Sequence, residues 1–115
     1  MIKLKLSYPP TANHIWKSGG GRVYRSARYV SWQKTAMAEA IAQKPKPVAG
    51  AYHLNITAYR PDKRKRDVDN LIKVVSDFAQ RAGLVEGDHL AQSVSARWAE
   101  SEGDGIELEI KGADA

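Results

Sequence analysis

Two helices packed on a mixed sheet of about four strands, in the order β-α-β-α-β-β, form the α/β (α+β type) architecture that this 115-residue sequence predicts. Three observations lead there. Apolar residues recur at every second position in four separate stretches, and at helical spacing in two others. Proline, glycine and charged runs separate these six segments. The length suits one hydrophobic core, so residues 1–115 are expected to form a single domain.

In "IKLKLS", Ile2, Leu4 and Leu6 alternate with Lys3, Lys5 and Ser7, a period-two strand that "YPP" stops, because proline lacks a ladder donor. Residues 11–27, with "KSGGGRVYRS", read as a flexible cationic loop. Ser26 is a suitable cap for a helix through about Gln43, with Tyr29, Val30, Trp32, Ala36, Met37, Ala40 and Ile41 on its apolar face. "KPKPVAG" ends it. "AYHLNITAYR" then gives a strand with Tyr52, Leu54, Ile56 and Ala58 on one side. From Asp69 a second helix is expected to bury Leu71, Val74, Val75, Phe78 and Ala82 and to stop at Gly83. "AQSVSARWAE" and "GIELEIKG" read as two strands joined through "SEGDG", most simply as a hairpin.

A 43% hydrophobic, 27% charged composition excludes a disordered chain, and no apolar run approaches the roughly 20 residues of a membrane span. Without cysteine there is neither a disulfide nor a thiolate zinc site. The N-terminus lacks the continuous apolar segment of a signal peptide, so a cytoplasmic protein is expected. The net charge of +5 conceals an asymmetry. Through Arg66 there are fourteen Lys/Arg and two acids, Glu39 and Asp62; from Asp67 onward there are four Lys/Arg and eleven acids. A basic segment of this kind suits a polyanion.

The two charge regimes meet in "RPDKRKRDVDNLIK", residues 60–73. Lys63, Arg64, Lys65 and Arg66 run straight into Asp67 and Asp69. Aspartate is a preferred N-cap, and one cap accounts for Asp69 but not for Asp67. If the segment is extended, positions i and i+2 point the same way and the two carboxylates converge. Converging carboxylates need a positive charge between them, from the neighbouring arginines or from a divalent cation; Mg²⁺ takes one or two carboxylates plus water and phosphate. Asp88, in the turn after the helix, joins them only if the chain returns along roughly 20 Å of helix. Asn70, Lys73 and Asp77 form a polar stripe on that helix. There Lys73 and Asp77 make either an exposed i,i+4 ion pair or, for Lys73, a cation beside a reacting phosphate.

"PDKRKRDVDNLIK" followed by "SDFAQRAGLVEGD" resembles the RusA family of Holliday junction resolvases, often carried by phages and prophages. The family pattern is a basic run, D-x-D-N-L-x-K, a helical aspartate, then glycine and an acidic turn. "YPPTANHIWKSGGGRVYRS" also resembles the family's opening and basic loop, with Asn13 at the matching asparagine. The resemblance implies that Asp67, Asp69 and Asp88 are catalytic Mg²⁺ ligands and that Lys73 is a catalytic lysine. The acidic turn often carries two adjacent acids in the family, whereas Gly87 precedes Asp88 here; Asp88 matches the position, and Glu86 is the other acid of the turn. A homodimer acting on four-way junction DNA, in recombination and repair, is also implied. Lys17, Arg22 and Arg25 of the loop, with Asn13 and Lys63 to Arg66, are then the expected DNA contacts, and Tyr8, Trp16 and Tyr24 are candidates to stack on unpaired bases. A non-catalytic nucleic-acid-binding module, and a metal-dependent nuclease for flaps or RNA, are the alternatives.

Overall fold

A computed structural model of the chain describes residues 1–10, 16–19 and 22–113, the side chains of 16–19 and 22–25 excepted. In chain order the elements are β1 (Ile2–Leu6), β2 (Trp16–Gly19), β3 (Arg22–Arg25), α1 (Ala27–Ala42), β4 (Tyr52–Ala58), α2 (Asn70–Arg81), β5 (Ala91–Trp98) and β6 (Ile106–Gly112). Strands β1, β6, β4 and β5 build a four-stranded mixed sheet in that spatial order. The expected architecture is present, with one addition. The segment read as a flexible loop contains a two-stranded ribbon, in which Trp16 pairs with Arg25 and Gly19 with Arg22.

Alternation sets the faces. On β1, β4 and β6 every second residue is buried, so Ile2, Leu4, Leu6, Tyr52, Leu54, Ile56, Ala58, Ile106, Leu108 and Ile110 share one side of the sheet. Both helices cover that side. Helix α1 contributes Tyr29, Trp32, Ala36 and Ala40, and α2 contributes Leu71, Val74, Val75, Phe78 and Ala79. Val30 and Ile41, expected on the apolar face of α1, are exposed, Ile41 by 68%. That face is narrower than the sequence pattern suggested because small Ala36 and Ala40, rather than branched side chains, meet the sheet.

The expected hairpin between the last two strands is not formed. Strand β6 lies between β1 and β4, antiparallel to both, while β5 pairs parallel with the far edge of β4. The burial of the two strands accounts for this. Ile106, Leu108 and Ile110 are each at most 1% exposed, as a central strand requires, whereas no residue of β5 is fully buried. A parallel β4–β5 pair needs a long crossover, and α2 supplies it.

Candidate active site

Helix α2 starts directly after the basic run. Its first amides bond to backbone rather than to side chains: Asn70 N–H to the Asp67 carbonyl at 3.2 Å, Leu71 N–H to Val68 at 3.2 Å, and Ile72 N–H to Asp69 at 3.1 Å. Asp69 stands at the N-cap but makes no side-chain cap bond. Its backbone is helical, with φ −67° and ψ −21°, and Val68 and Asp69 form a turn. The segment is thus not extended, and the strand-geometry argument for convergence of Asp67 and Asp69 does not hold. Both side chains remain exposed at the mouth of the helix.

The basic run is organised by Asp62. Its carboxylate accepts from Arg66 Nε at 3.2 Å and Nη2 at 2.9 Å, and from the Arg64 backbone N–H at 3.0 Å. The Arg66 bonds first, then the Arg64 amide, hold the Asp62 carboxyl below the usual carboxylate range. Arg66 also stands over the Tyr8 ring, 5.9 Å from its centroid. Lys63, Arg64 and Lys65 are exposed. A cleft of about 260 Å³ joins Tyr8 and Pro10 to Arg64, Lys65, Arg66, Asp67 and Asn70, so one candidate carboxylate and the cations share a cavity.

Lys73 is exposed, and its expected ion pair with Asp77 is not formed. Asp77 binds Arg81 Nε at 3.1 Å and accepts the Tyr29 hydroxyl at 2.9 Å. An acid placed before its base in a helix is the better orientation, which favours Asp77–Arg81 over Lys73–Asp77. Lys73 therefore has no ion-pair partner among the described residues.

Asp88 lies beyond α2, in a single 3₁₀ turn (Asp88–Leu90) leading into β5. It neighbours the buried hydroxyl of Tyr52, on which no hydrogen-bond partner with proper geometry is found. Burial pushes the Tyr52 phenol up, the Asp88 charge adds to this, and the Ser76 side chain opposes it, close by but outside hydrogen-bond geometry. Ser76 is six residues into α2, about 9 Å along its axis. Among the described residues Asp88 is not gathered with Asp67 and Asp69 into one cluster of ligand-type side chains. Glu86 is engaged elsewhere, accepting the Gly50 N–H at 2.7 Å. At Gly87 a Cβ would come within 2.7 Å of the His89 ring, so a second acid there would displace that ring.

Asn13 lies outside the described residues, as do the side chains of Lys17, Arg22 and Arg25. A larger cleft of about 500 Å³ lies on the helix-free face of the sheet, between Lys3, Asn55 and Arg97, and none of the candidate site residues lines it.

Comparison with known proteins gives the family. The family profile described as Endodeoxyribonuclease RusA matches residues 7–111. This chain belongs to the RusA family. It is 32% identical over 82 residues to the crossover junction endodeoxyribonuclease RusA of Aquifex aeolicus, covering 70% of this chain and 65% of that protein. It is 31% identical over 85 residues to the protein of that name from Enterobacteria phage HK97, covering 72% and 70% of the two chains. With the Escherichia coli K12 protein of the same name the identity is 30% over 88 residues, covering 70% and 68%. The chain spans just under two thirds of the length of the Aquifex relative.

A divalent cation at this site would depend on the donors present. Among the described residues, no three His, Asp or Glu side chains are gathered to hold an ion. Two exposed carboxylates free of cap bonds nevertheless suit a hard cation that completes its shell with water and phosphate oxygen. Asp67 and Asp69 would be the oxygen donors of such an ion.

The roles of Asp62 and Tyr52 were missed in the sequence. For Asp62 a signal existed, since it precedes Arg66 by the four residues that an acid–base pair spans in a helical turn. For Tyr52 none did: it read as one more core residue of β4.

Proposed function

We propose that residues 1–115 form a single cytoplasmic nuclease unit that cuts four-way DNA junctions by paired symmetric nicks, with Mg²⁺ as cofactor, in recombination and repair. The observation carrying this reading is that Asp67 shares a cleft with Arg64, Lys65 and Arg66 while neither it nor Asp69 is used to cap α2. The prophage association and the homodimer follow the family resemblance, and a two-fold dimer offers two equivalent sites for two equivalent nicks. Lys63, Arg64, Lys65 and Arg66 bind phosphates and fix the strand without reading bases. By the family resemblance, Asn13, Lys17, Arg22 and Arg25 are further DNA contacts. By the family pattern Asp67 and Asp69 would hold the ion, with Asp88 as a third carboxylate that is not gathered with them in this structure. When bound, Mg²⁺ supplies charge stabilisation at the phosphate and lowers the pKa of water. Lys73, one turn into α2 and without an ion-pair partner among the described residues, is by the family pattern the cation for the negative charge that develops on the leaving 3′ oxygen as a water oxygen bonds to phosphorus.

The test is a synthetic four-way junction incubated with the protein and Mg²⁺, with and without chelator, beside duplex, flap and RNA controls. Paired nicks confined to the junction, and abolished by chelator, are expected. Binding without nicking would identify a binding module instead. Equal cutting of flap or RNA would identify a different nuclease.

A further inference from the structure

Two clefts meet at the N-terminal end of α2. Beside the one that reaches Asp67, a second of about 430 Å³ extends towards Arg28 and Trp32. Tyr8, Pro10, Arg64 and Arg66 line both, so the two form one trough. The trough has two chemistries. Half-buried Tyr8 and Pro10, with buried Pro9 behind them, supply its apolar side. Its rim is cationic, with Arg64 and Lys65 exposed.

A continuous duplex presents phosphates to a surface and keeps its bases inside, and it has no use for an apolar recess. An unstacked nucleotide presents both a ring and a phosphate. We infer that the trough holds one extrahelical nucleotide from the junction crossover, its base against Tyr8 and the prolines and its phosphate on Arg64. The inference rests on the resolvase reading and adds to it a means of selecting branched over linear DNA. Arg66 belongs to the base platform. Asp62 holds its guanidinium in bidentate fashion over the Tyr8 ring, and guanidinium planes stack on bases as aromatic rings do. A base at a crossover has lost the continuous stack of a linear duplex, so it costs less to turn out into the recess than a base within a duplex.

Junctions with a single abasic residue at each position flanking the crossover test this, with equilibrium binding measured for the Asp67→Asn protein so that no strand is cut. One abasic position is expected to weaken binding about 5- to 150-fold, the range for one base–aromatic stack. In the Asp67→Asn background, Tyr8→Ala should bind all the junctions with similar affinity, while Tyr8→Phe keeps the discrimination. Tyr8→Leu, which fills the space without a π face, replaces Tyr8→Ala if the latter melts early. Equal sensitivity to abasic sites with and without the ring would overturn the inference. Nicking of intact junctions by the otherwise unmodified protein is scored separately. Nicking without coupling between Tyr8 and a base sinks this inference alone, and coupling without nicking sinks only the nuclease reading.

Discussion

In the first turn of α2 the amides of Asn70, Leu71 and Ile72 are already bonded to the carbonyls of Asp67, Val68 and Asp69. Removing charge from Asp67 or Asp69 therefore takes away only a favourable interaction with the helix dipole, about 0.3–1 kcal/mol. Asp67→Asn and Asp69→Asn should lower stability to urea by no more than that, while abolishing junction nicking and leaving junction binding intact. Loss of binding in step with nicking would mark a folding defect. Ser26 at the start of α1 is the contrast: its buried hydroxyl accepts the Tyr29 N–H at 3.1 Å, so it is a true cap. Lys73→Ala removes a cation with no structural partner, and it should reduce kcat about 10²- to 10³-fold with little change in the junction Kd. An unaltered kcat would return Lys73 to the role of a solvated side chain. These candidates were legible in the sequence because charge and spacing are local properties. Which acid Arg81 takes, and which carboxylate the Gly50 amide occupies, depend on competition between partners that only the folded chain brings into range.

Strand alternation predicted the buried positions of β1 and β4, and the same alternation is found in β6, since the pleat alone decides which side a residue faces. It did not predict which strands would be neighbours. That choice depends on matching burial across the sheet and on backbone fits such as the one at Gly105. This residue has φ +75°, and a Cβ on it would lie 2.2 Å from the Leu6 carbonyl oxygen, where the turn into β6 crosses the end of β1. Its own carbonyl accepts the Tyr59 N–H at 3.0 Å, which ties the same turn to the end of β4. Gly83 has a similar φ of +72° but open space around it. Gly83→Ala should thus cost about 1–2 kcal/mol, the left-handed penalty alone. Gly105→Ala should cost more, by at least about 1–3 kcal/mol, because backbone rather than a side chain has to move. Urea denaturation of the two variants makes the comparison. Equal losses would mean that the close approach to Leu6 does not constrain the insertion of β6.

Across the whole molecule, the basic and acidic halves of the chain are not separate in space. Basic β1 pairs with acidic β6, placing Lys3 Nζ 4.0 Å from Glu109 and Lys5 Nζ 3.7 Å from Glu107. These two ion pairs lie on the helix-free face, while the basic run 63–66, in which Arg64 and Arg66 face Asp62, stands beside Asp67. The core sets a second global property, stability at high pH. Tyr52 is fully buried and Tyr8 half-buried, and for both burial is the leading cause of a phenol pKa above its ordinary 10.0. A raised folded-state pKa means that, above pH 10, the native state keeps a proton that the unfolded state releases. Stability contributed by these phenols is therefore complete below pH 10 and declines as pH rises through the folded-state values. Tyr52→Phe removes a group that cannot ionise in the fold without cost, and also a buried hydroxyl lacking a hydrogen-bond partner. At pH 7 the variant should equal or exceed the parent in stability, since no bond is lost with the oxygen. Between pH 9 and 11 its urea midpoint should fall less steeply than that of the parent. Tyr8→Phe should flatten the curve less, because Tyr8 is only half-buried and the Arg66 charge partly offsets its shift. Parallel curves for the parent and Tyr52→Phe would show that the Tyr52 hydroxyl reaches water, and that the pocket between Ser76 and Asp88 is open rather than closed.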